Sequence, residues 1–222
     1  MADHDVLISQ LSQDAGPVRR LWPNSLRVAA WLLTALPCGW LSSLVFYRAV
    51  TDWTQSGALL AALQLLVAFI TGTLAIRNAF LLSIAGRRPL GWKWFIPLIA
   101  LWLCCAMLSL GRSPLQAHHP DEVNCYLYMM AVSAPMMAIV IGYLRRTRAL
   151  YPLRTLAVAG AGVACMALTL LSFCHPVEVH PLDFLLHVAA AGTIVVATMV
   201  MGWRWVRVGE QKSKNPPCGR VL

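Results

Sequence analysis

Long apolar runs alternate with short polar breaks along most of the chain. A helix that crosses about 30 Å of hydrocarbon needs about 20 mostly apolar residues. Runs close to this length occupy residues 28–47, 57–76, 95–110, 124–144, 155–173 and 182–203. Charged residues or prolines lie between them. The pattern therefore predicts an all-α protein, a six-helix transmembrane bundle in which residues 28–205 form the membrane domain.

The remaining chain consists of short segments. Residues 1–27 form a polar N-terminal segment, and residues 206–222 form a polar tail that we expect to be disordered. No segment outside the spans exceeds about 25 residues, which is too few to bury an independent core. Asp3, Asp5 and Asp14 precede the first apolar run, which argues against a cleaved signal peptide.

Composition supports a membrane location. Hydrophobic residues make up 59% of the chain and charged residues 12%, whereas a soluble domain has about 25% charged residues. Of the 18 lysines and arginines, all but Arg48 and Arg112 fall on the side that holds both termini of a six-span chain. The positive-inside rule then predicts a multi-pass membrane protein with both termini cytoplasmic. We attribute the net charge of +9 to these flanks and not to nucleic-acid binding.

Known catalytic motifs are missing from the sequence. It contains no H-E-x-x-H, G-x-S-x-G, P-loop or glycine-rich dinucleotide turn, so we expect no enzyme activity. Two other classes stay open. One is a small transporter or channel for a metal or solute, although the centres of the spans are nearly free of charge. The other is a membrane redox protein, although only His187 lies within a span and a haem bundle needs facing histidines.

Two of the seven cysteines stand apart by position. Cys218 lies in the tail, and four others fall within spans, where a thiol behaves as a small apolar group: Cys38, Cys104, Cys105 and Cys165. The fourth and fifth runs are joined by a short loop, so we expect antiparallel neighbours. Cys125 lies 20 residues before Arg145 and Cys174 lies 20 residues after Arg154, which is about 30 Å of helix in both arms. Both thiols should therefore reach the same outer surface.

Small residues predict a close approach of these two helices. They recur at four-residue spacing, as Ala134, Ala138 and Gly142 on one helix, and Ala157 with Ala161 or Gly160 with Ala164 on the other.

Four histidines share the predicted outer side with the two thiols: His118, His119, His175 and His180. A charged histidine would lower the pKa of a neighbouring thiol, and a neutral one could join thiolates in binding a soft metal. We expect no resident cofactor, but transient heavy-metal binding at Cys125, Cys174, His175 and His180. The alternative is two unrelated interfacial cysteines beside solvated histidines.

The N-terminal segment predicts a short helix with one apolar face. Val6, Leu7, Ile8 and Leu11 are interrupted by polar serines and glutamines, and the pattern ends near residues 16–17. Such a helix could lie on the inner leaflet or dock into the groove of a partner. The pattern does not separate these two interpretations.

Several segments together carry a family resemblance. They are residues 5–11 (DVLISQL), 17–23 (PVRRLWP) with Arg27 before the first span, 125–127 (CYL), 144–146 (LRR), and 174–176 (CHP) before a last span that contains His187. In this order, and over essentially the whole chain, they resemble the NrsF family of integral-membrane anti-sigma factors.

This resemblance implies a function and a location in the bacterial inner membrane. A member of that family holds an extracytoplasmic-function sigma factor through its cytoplasmic N-terminal segment, and two periplasmic-side cysteines respond to oxidants or heavy metals. The matching sensing positions here are Cys125 and Cys174. The matching sigma-binding positions are Leu7, Leu11, Pro17, Val18, Arg19 and Leu21. The expected partners are then the sigma factor and the lipid bilayer, without direct nucleic-acid binding.

Overall fold

The structure is a computed structural model that describes residues 2–13, 22–46, 50–110, 124–147, 149, 151–174, 177 and 180–206. Its helices are α1 (Ala2–Gln13), α2 (Asn24–Ser43), α3 (Ala58–Leu82), α4 (Phe95–Leu110), α5 (Cys125–Arg145), α6 (Pro152–Leu171) and α7 (Pro181–Val206). A 3-10 turn, Trp92–Trp94, precedes α4. The described ranges contain no strand, so the all-α prediction is confirmed.

Six of these helices are long, and they coincide with the six apolar runs of the sequence. Five of them, α3 to α7, with α4 counted from Trp92, are long and apolar enough to cross a membrane. The remaining long helix, α2, has 20 residues but includes Arg27 and Pro37, which make it less apolar. Transmembrane character is thus supported by five helices.

Helices α5 and α6 lie at the centre of the bundle. α6 packs against α3, α5 and α7, and α5 packs also against α2 and α7. The peripheral helix α4 packs mainly on α3, and much of its surface is exposed. The largest side chains of the core, among them Trp31, Phe80, Tyr128 and Met136, are fully buried between these elements.

One end of the bundle gathers basic and aromatic side chains. The Asn24 side chain at the start of α2 donates a hydrogen bond to the carbonyl of Arg77 near the end of α3 (3.3 Å). The buried guanidinium of Arg27 lies 4.6 Å above the ring of Phe80, and Phe80 lies 5.8 Å from Tyr143 of α5. We call this the arginine end.

The opposite end gathers the last turn of α4 and the described residues that follow α2 and α6. The backbone N–H and hydroxyl of Thr51 donate to the carbonyls of Phe173 (3.0 Å) and Ser172 (2.9 Å). The hydroxyl of Ser109, in the last turn of α4, donates to the carbonyl of Val177 (3.5 Å). Cys125 and Cys174 belong to this end, which we call the cysteine end. Successive helices α2 to α7 therefore run in alternating directions between the two ends.

The prediction that small residues join α5 to α6 is wrong for α5. Ala134, Ala138 and Gly142 are all exposed, and a Cβ built on Gly142 would meet no atom within 4 Å. The four-residue spacing gives these residues a common face, but that face points away from the bundle. Larger apolar residues of α5, Val132 and Met136, lie in the core instead.

The small residues of α6 are used against other helices. A Cβ on Gly160 would lie 2.8 Å from the Cα of Val195 in α7, and one on Gly162 would lie 2.8 Å from the side chain of Ile76 in α3. Glycine at these two positions lets α6 approach two neighbours closely, which is why α6 is the most buried of the long helices.

Candidate functional site

Cys125 is the first residue of α5 and is only 1% exposed. Its thiol donates a hydrogen bond to Oδ1 of Asp183, in the first turn of α7 (3.6 Å). The carboxylate oxygen is the acceptor of this contact and the thiol is its donor. The hydrogen bond also connects the beginnings of α5 and α7 at the cysteine end.

Cys174 lies three residues beyond the end of α6 and is partly buried. Its backbone N–H donates to the carbonyl of Leu171 (2.8 Å), which holds the residue close to the helix. The Tyr128 hydroxyl donates to the Cys174 sulfur (3.7 Å). Tyr128 is one helical turn after Cys125, so the two thiols reach the same end of the bundle, as the equal helix lengths predict.

The two sulfurs have opposite kinds of neighbour. Cys174 accepts a hydrogen bond from a hydroxyl, whereas Cys125 donates one to a carboxylate. Cys125 is almost fully buried, whereas Cys174 is partly exposed. Because a reagent must reach the sulfur, we expect Cys174 to react first and Cys125 to react after it.

Aromatic side chains fix the segment that carries Cys174. Phe173 makes edge-on contacts with Trp40 of α2 (ring centroids 6.4 Å apart) and with Trp53 of the following loop (6.2 Å). The last part of α2 therefore touches the residue next to Cys174. This contact links the candidate site to the helix that follows the N-terminal segment.

The predicted metal ligands are only partly brought together. His180 is partly buried, and its Nδ1 accepts a hydrogen bond from the backbone N–H of Leu182 (3.3 Å) at the start of α7. His175, like His118 and His119, lies outside the described residues. Within the described ranges, no three residues of the His, Cys, Asp and Glu types form a group that could hold a metal ion. Cys125, Cys174 and His180 are thus not a preformed three-ligand site.

An acidic turn marks the same end of the bundle. The Asp52 carboxylate accepts hydrogen bonds from the hydroxyl (2.7 Å) and the backbone N–H (3.0 Å) of Thr54. These bonds lower the pKa of Asp52 below its usual value. The turn therefore keeps its negative charge in mildly acidic surroundings.

The other cysteines lie where the sequence places them. Cys38, Cys104, Cys105 and Cys165 are inside α2, α4 and α6, and Cys218 falls outside the described residues. Cys104 is exposed on the outer face of α4, which makes it a useful control for the reactivity of the candidate pair.

Sequence reasoning missed Tyr128 and Asp183 as neighbours of the thiols. A signal for each is present in the sequence. Tyr128 follows Cys125 by three residues, which places both on one helix face. Asp183 is the acidic residue in the first turn of the strongly apolar helix α7, where a charged group needs a partner or water.

The N-terminal segment is helical as predicted, although α1 ends at Gln13. Leu7 and Leu11 lie one turn apart on α1, and its Val6 and Ile8 side chains are 55% and 63% exposed. The other sigma-binding positions of the prediction lie outside the described residues: Pro17, Val18, Arg19 and Leu21. The helix therefore presents apolar side chains that a partner could cover.

We expect the two thiols to react with an alkylating reagent at different rates. Cys174 should be labelled at least about tenfold faster than Cys125, because Cys174 is partly exposed and Cys125 is only 1% exposed. Peptide mass spectrometry after timed labelling with iodoacetamide measures both rates.

Two variants separate hydrogen bonding from accessibility. Tyr128→Phe should slow the labelling of Cys174, and Asp183→Asn should change mainly the labelling of Cys125. Faster labelling of Cys125 than of Cys174 in the unaltered protein would contradict the assignment.

Comparisons of the chain with protein-family models, with curated proteins and with solved structures give no match.

Proposed function

We propose that this protein is a membrane-bound anti-sigma factor of the bacterial inner membrane. It sequesters an extracytoplasmic-function sigma factor through residues 1–27 and releases it when Cys125 and Cys174 respond to an oxidant or a heavy metal. The observation that carries the proposal is the placement of both thiols at the end of the bundle opposite the start of α2. The family resemblance of the N-terminal and cysteine segments supports it.

The proposed orientation rests on charge. In this orientation α2 is the first of six spans, the arginine end faces the cytoplasm and the cysteine end faces the periplasm. Arg27, Arg77 and Arg145 lie at the arginine end, and Arg145 is placed 4.8 Å from the ring of Trp205 in the last turn of α7. Both termini are then cytoplasmic.

A reporter that becomes active only in the periplasm tests this orientation. Fused at Gly219, it should be inactive, whereas a fusion at Trp53, in the loop between α2 and α3, should be active. Activity at Gly219 would place the tail outside and reject the orientation.

Helix α2 connects the two ends. Its first turn contains residues 24–27, the last part of the proposed binding segment, and near its other end Trp40 contacts Phe173, the neighbour of Cys174. Between these points a Cβ on Gly39 would lie 3.2–3.3 Å from Met136 and Val132 of α5. A closely packed core resists local deformation. A change in the distance between α5 and the Cys174 segment must therefore move the side chains that pack against α2. We propose that this shift weakens the hold of residues 1–27 on the sigma factor.

The oxidative step follows from the two thiol environments. The Cys174 sulfur attacks one oxygen of hydrogen peroxide and the O–O bond breaks. A sulfenic acid forms, and the released hydroxide takes the proton of the Cys174 thiol to give one water. Asp183 then accepts the proton of Cys125, whose sulfur attacks the sulfenic sulfur. A disulfide forms, and the displaced hydroxide takes the proton from Asp183 and leaves as the second water. Two thiols supply the two electrons that reduce the peroxide.

Release of the sigma factor by a heavy metal would use the same two sulfur atoms. A soft cation such as Cd²⁺ replaces the two thiol protons and bridges Cys125 and Cys174, with His175 or His180 as a further ligand. The described residues hold no preformed three-ligand group, so binding requires the ends of α5 and α7 and the Cys174 segment to move together. The metal-bound state then differs from the resting state in structure and in free energy, and a switch requires such a difference.

Burial explains how thiols on the periplasmic side could rest in the reduced state. An oxidising compartment converts accessible thiol pairs to disulfides. Cys125 is 1% exposed and donates a hydrogen bond to Asp183, and Cys174 is partly buried. A small oxidant or metal ion can reach such sites more easily than a protein oxidant can.

Recovery of the native partner tests the function. The solubilised full chain should retain a sigma factor, and a chain that begins at Trp22 should lose it, because the proposed binding segment is then removed. A chain that ends at Val206 is the matched control and should keep the partner. Mass spectrometry of the eluates gives the result.

Three outcomes would reject the proposal. Equal recovery of the sigma factor with and without the N-terminal segment would show that this segment does not hold it. Metal transport by liposomes containing the protein, without any bound sigma factor, would indicate a transporter. A haem spectrum would indicate a membrane redox protein.

A further inference from the structure

A two-part cavity lies between α3, α4, α6 and α7, close to the cysteine end. Its larger chamber has a volume of about 190 Å³, and its smaller chamber has about 60 Å³. Both chambers are lined by Ala68, Trp102, Leu168 and His187, so they adjoin at these side chains. The peripheral helix α4 supplies one wall, which explains why the packing is open here.

The larger chamber is almost entirely apolar. Its remaining wall is formed by Thr71, Ile99, Cys165, Val188 and Ala191. Ile99 and Val188 are 38% and 52% exposed on the apolar perimeter of the bundle, so the chamber can be entered from the bilayer. An apolar cavity of about 150 Å³ stays dry and accepts a molecule as large as an aromatic ring. The chamber therefore has room for one ring.

The smaller chamber supplies polar groups. Gln64 of α3 lines it, and the buried amide nitrogen of this side chain donates to no acceptor in the described part of the chain. His187, which is 7% exposed, is shared by both chambers. A buried donor without an acceptor is costly, so native sites usually supply a protein group, a water or a ligand.

An aromatic pair borders the junction of the two chambers. The ring of Trp102 stacks on that of Phe184 at 6.1 Å and 24°. Phe184 follows Asp183 in the chain, and Ser172, which also lines the smaller chamber, lies two residues before Cys174. A group that enters the smaller chamber would therefore touch both segments that carry the thiol contacts.

We propose that this cavity binds a lipid-soluble quinone. The ring fills the larger chamber, one ring carbonyl accepts a hydrogen bond from the Gln64 amide, and the isoprenoid tail leaves between Ile99 and Val188 into the bilayer. Three properties of the site select this class of molecule: a ring-sized apolar volume, a donor at one end and an entrance from the membrane. The inference does not depend on the proposed regulation of a sigma factor.

A binding titration tests the site on the full chain in detergent. The probe is a benzoquinone with a ten-carbon chain, followed by the quenching of tryptophan fluorescence, because Trp102 forms part of the wall. We expect saturable binding. Gln64→Leu removes the donor at similar size and should raise the Kd about tenfold, the loss expected for one hydrogen bond. Ala191→Phe fills the chamber and should abolish saturable quenching.

Two controls make the titration decisive. Val196→Phe adds the same ring to α7 at a site that is 58% exposed and outside the cavity lining, and it should bind as the unaltered protein does. Decanoate carries a carboxylate head on a chain of matching length and should not displace the quinone at equal concentration.

Several results would overturn the proposal. They are quenching without saturation in the unaltered protein, unchanged binding by a folded Ala191→Phe variant, and displacement by decanoate as effective as by the quinone itself. Circular dichroism and gel filtration confirm the fold of each variant. Unchanged Kd for Gln64→Leu would reject the assigned hydrogen bond and, with it, the orientation that defines the site.

Discussion

Replacing either Cys125 or Cys174 with serine is expected to leave the sigma factor bound and to abolish its release under peroxide or Cd²⁺. The hydroxyl of serine forms neither a disulfide nor a soft-metal bridge. Peroxide or Cd²⁺ then no longer lowers the free energy of the state that releases the sigma factor. The resting state should survive, because serine is close to cysteine in size. Transcription from a promoter of the released sigma factor, with and without stress, measures the effect.

A matched control separates the pair from the other thiols. Cys104 is exposed on α4, away from the cysteine end, and Cys104→Ser should leave induction unchanged. Normal induction in a Cys125→Ser, Cys174→Ser double variant would show that the cysteine switch is wrong. The histidines of the cysteine end would then be the next candidates.

The second large effect concerns the fold. Gly160→Val is expected to destabilise the bundle by on the order of 3 kcal/mol, the cost of overpacking a tight helix contact. The new Cβ would lie 2.8 Å from the Cα of Val195 and 3.1 Å from the side chain of Thr198. A backbone atom cannot rotate away, so α7 must move outward from α6.

Gly142→Val provides the comparison within the same bundle. Its Cβ would enter open space, and we expect a change within about 0.5 kcal/mol. Unfolding in mixed micelles, followed by circular dichroism, measures both variants. Equal stabilities of the two variants would mean that α6 and α7 do not approach as closely as the structure shows.

The long helices could be predicted from the sequence because their length and apolarity are local properties. Each of the six apolar runs corresponds to one long helix, and α1 occupies the predicted N-terminal segment. The common end of Cys125 and Cys174 was also predictable, since it follows from a short loop and two arms of equal length. These inferences need no knowledge of which faces meet.

Contacts between distant segments could not be predicted in the same way. The spacing of Ala134, Ala138 and Gly142 gives a shared face, but the neighbours of α5 decide whether that face is buried, and it is exposed. The Cys125–Asp183 contact depends on how α5 and α7 are placed side by side. The cavity beside Gln64 arises from the loose packing of α4, which leaves no pattern in the sequence.

Sigma-factor binding by the protein in a lipid nanodisc, measured before peroxide, after peroxide and after a subsequent thiol reductant, tests most directly whether the cysteine end controls the N-terminal segment. We predict that the Kd rises at least about tenfold on oxidation, equivalent to about 1.4 kcal/mol, and returns on reduction. Mapping of the disulfide should show Cys125 joined to Cys174 in the oxidised sample. A Kd that stays constant while this disulfide forms would contradict the coupling.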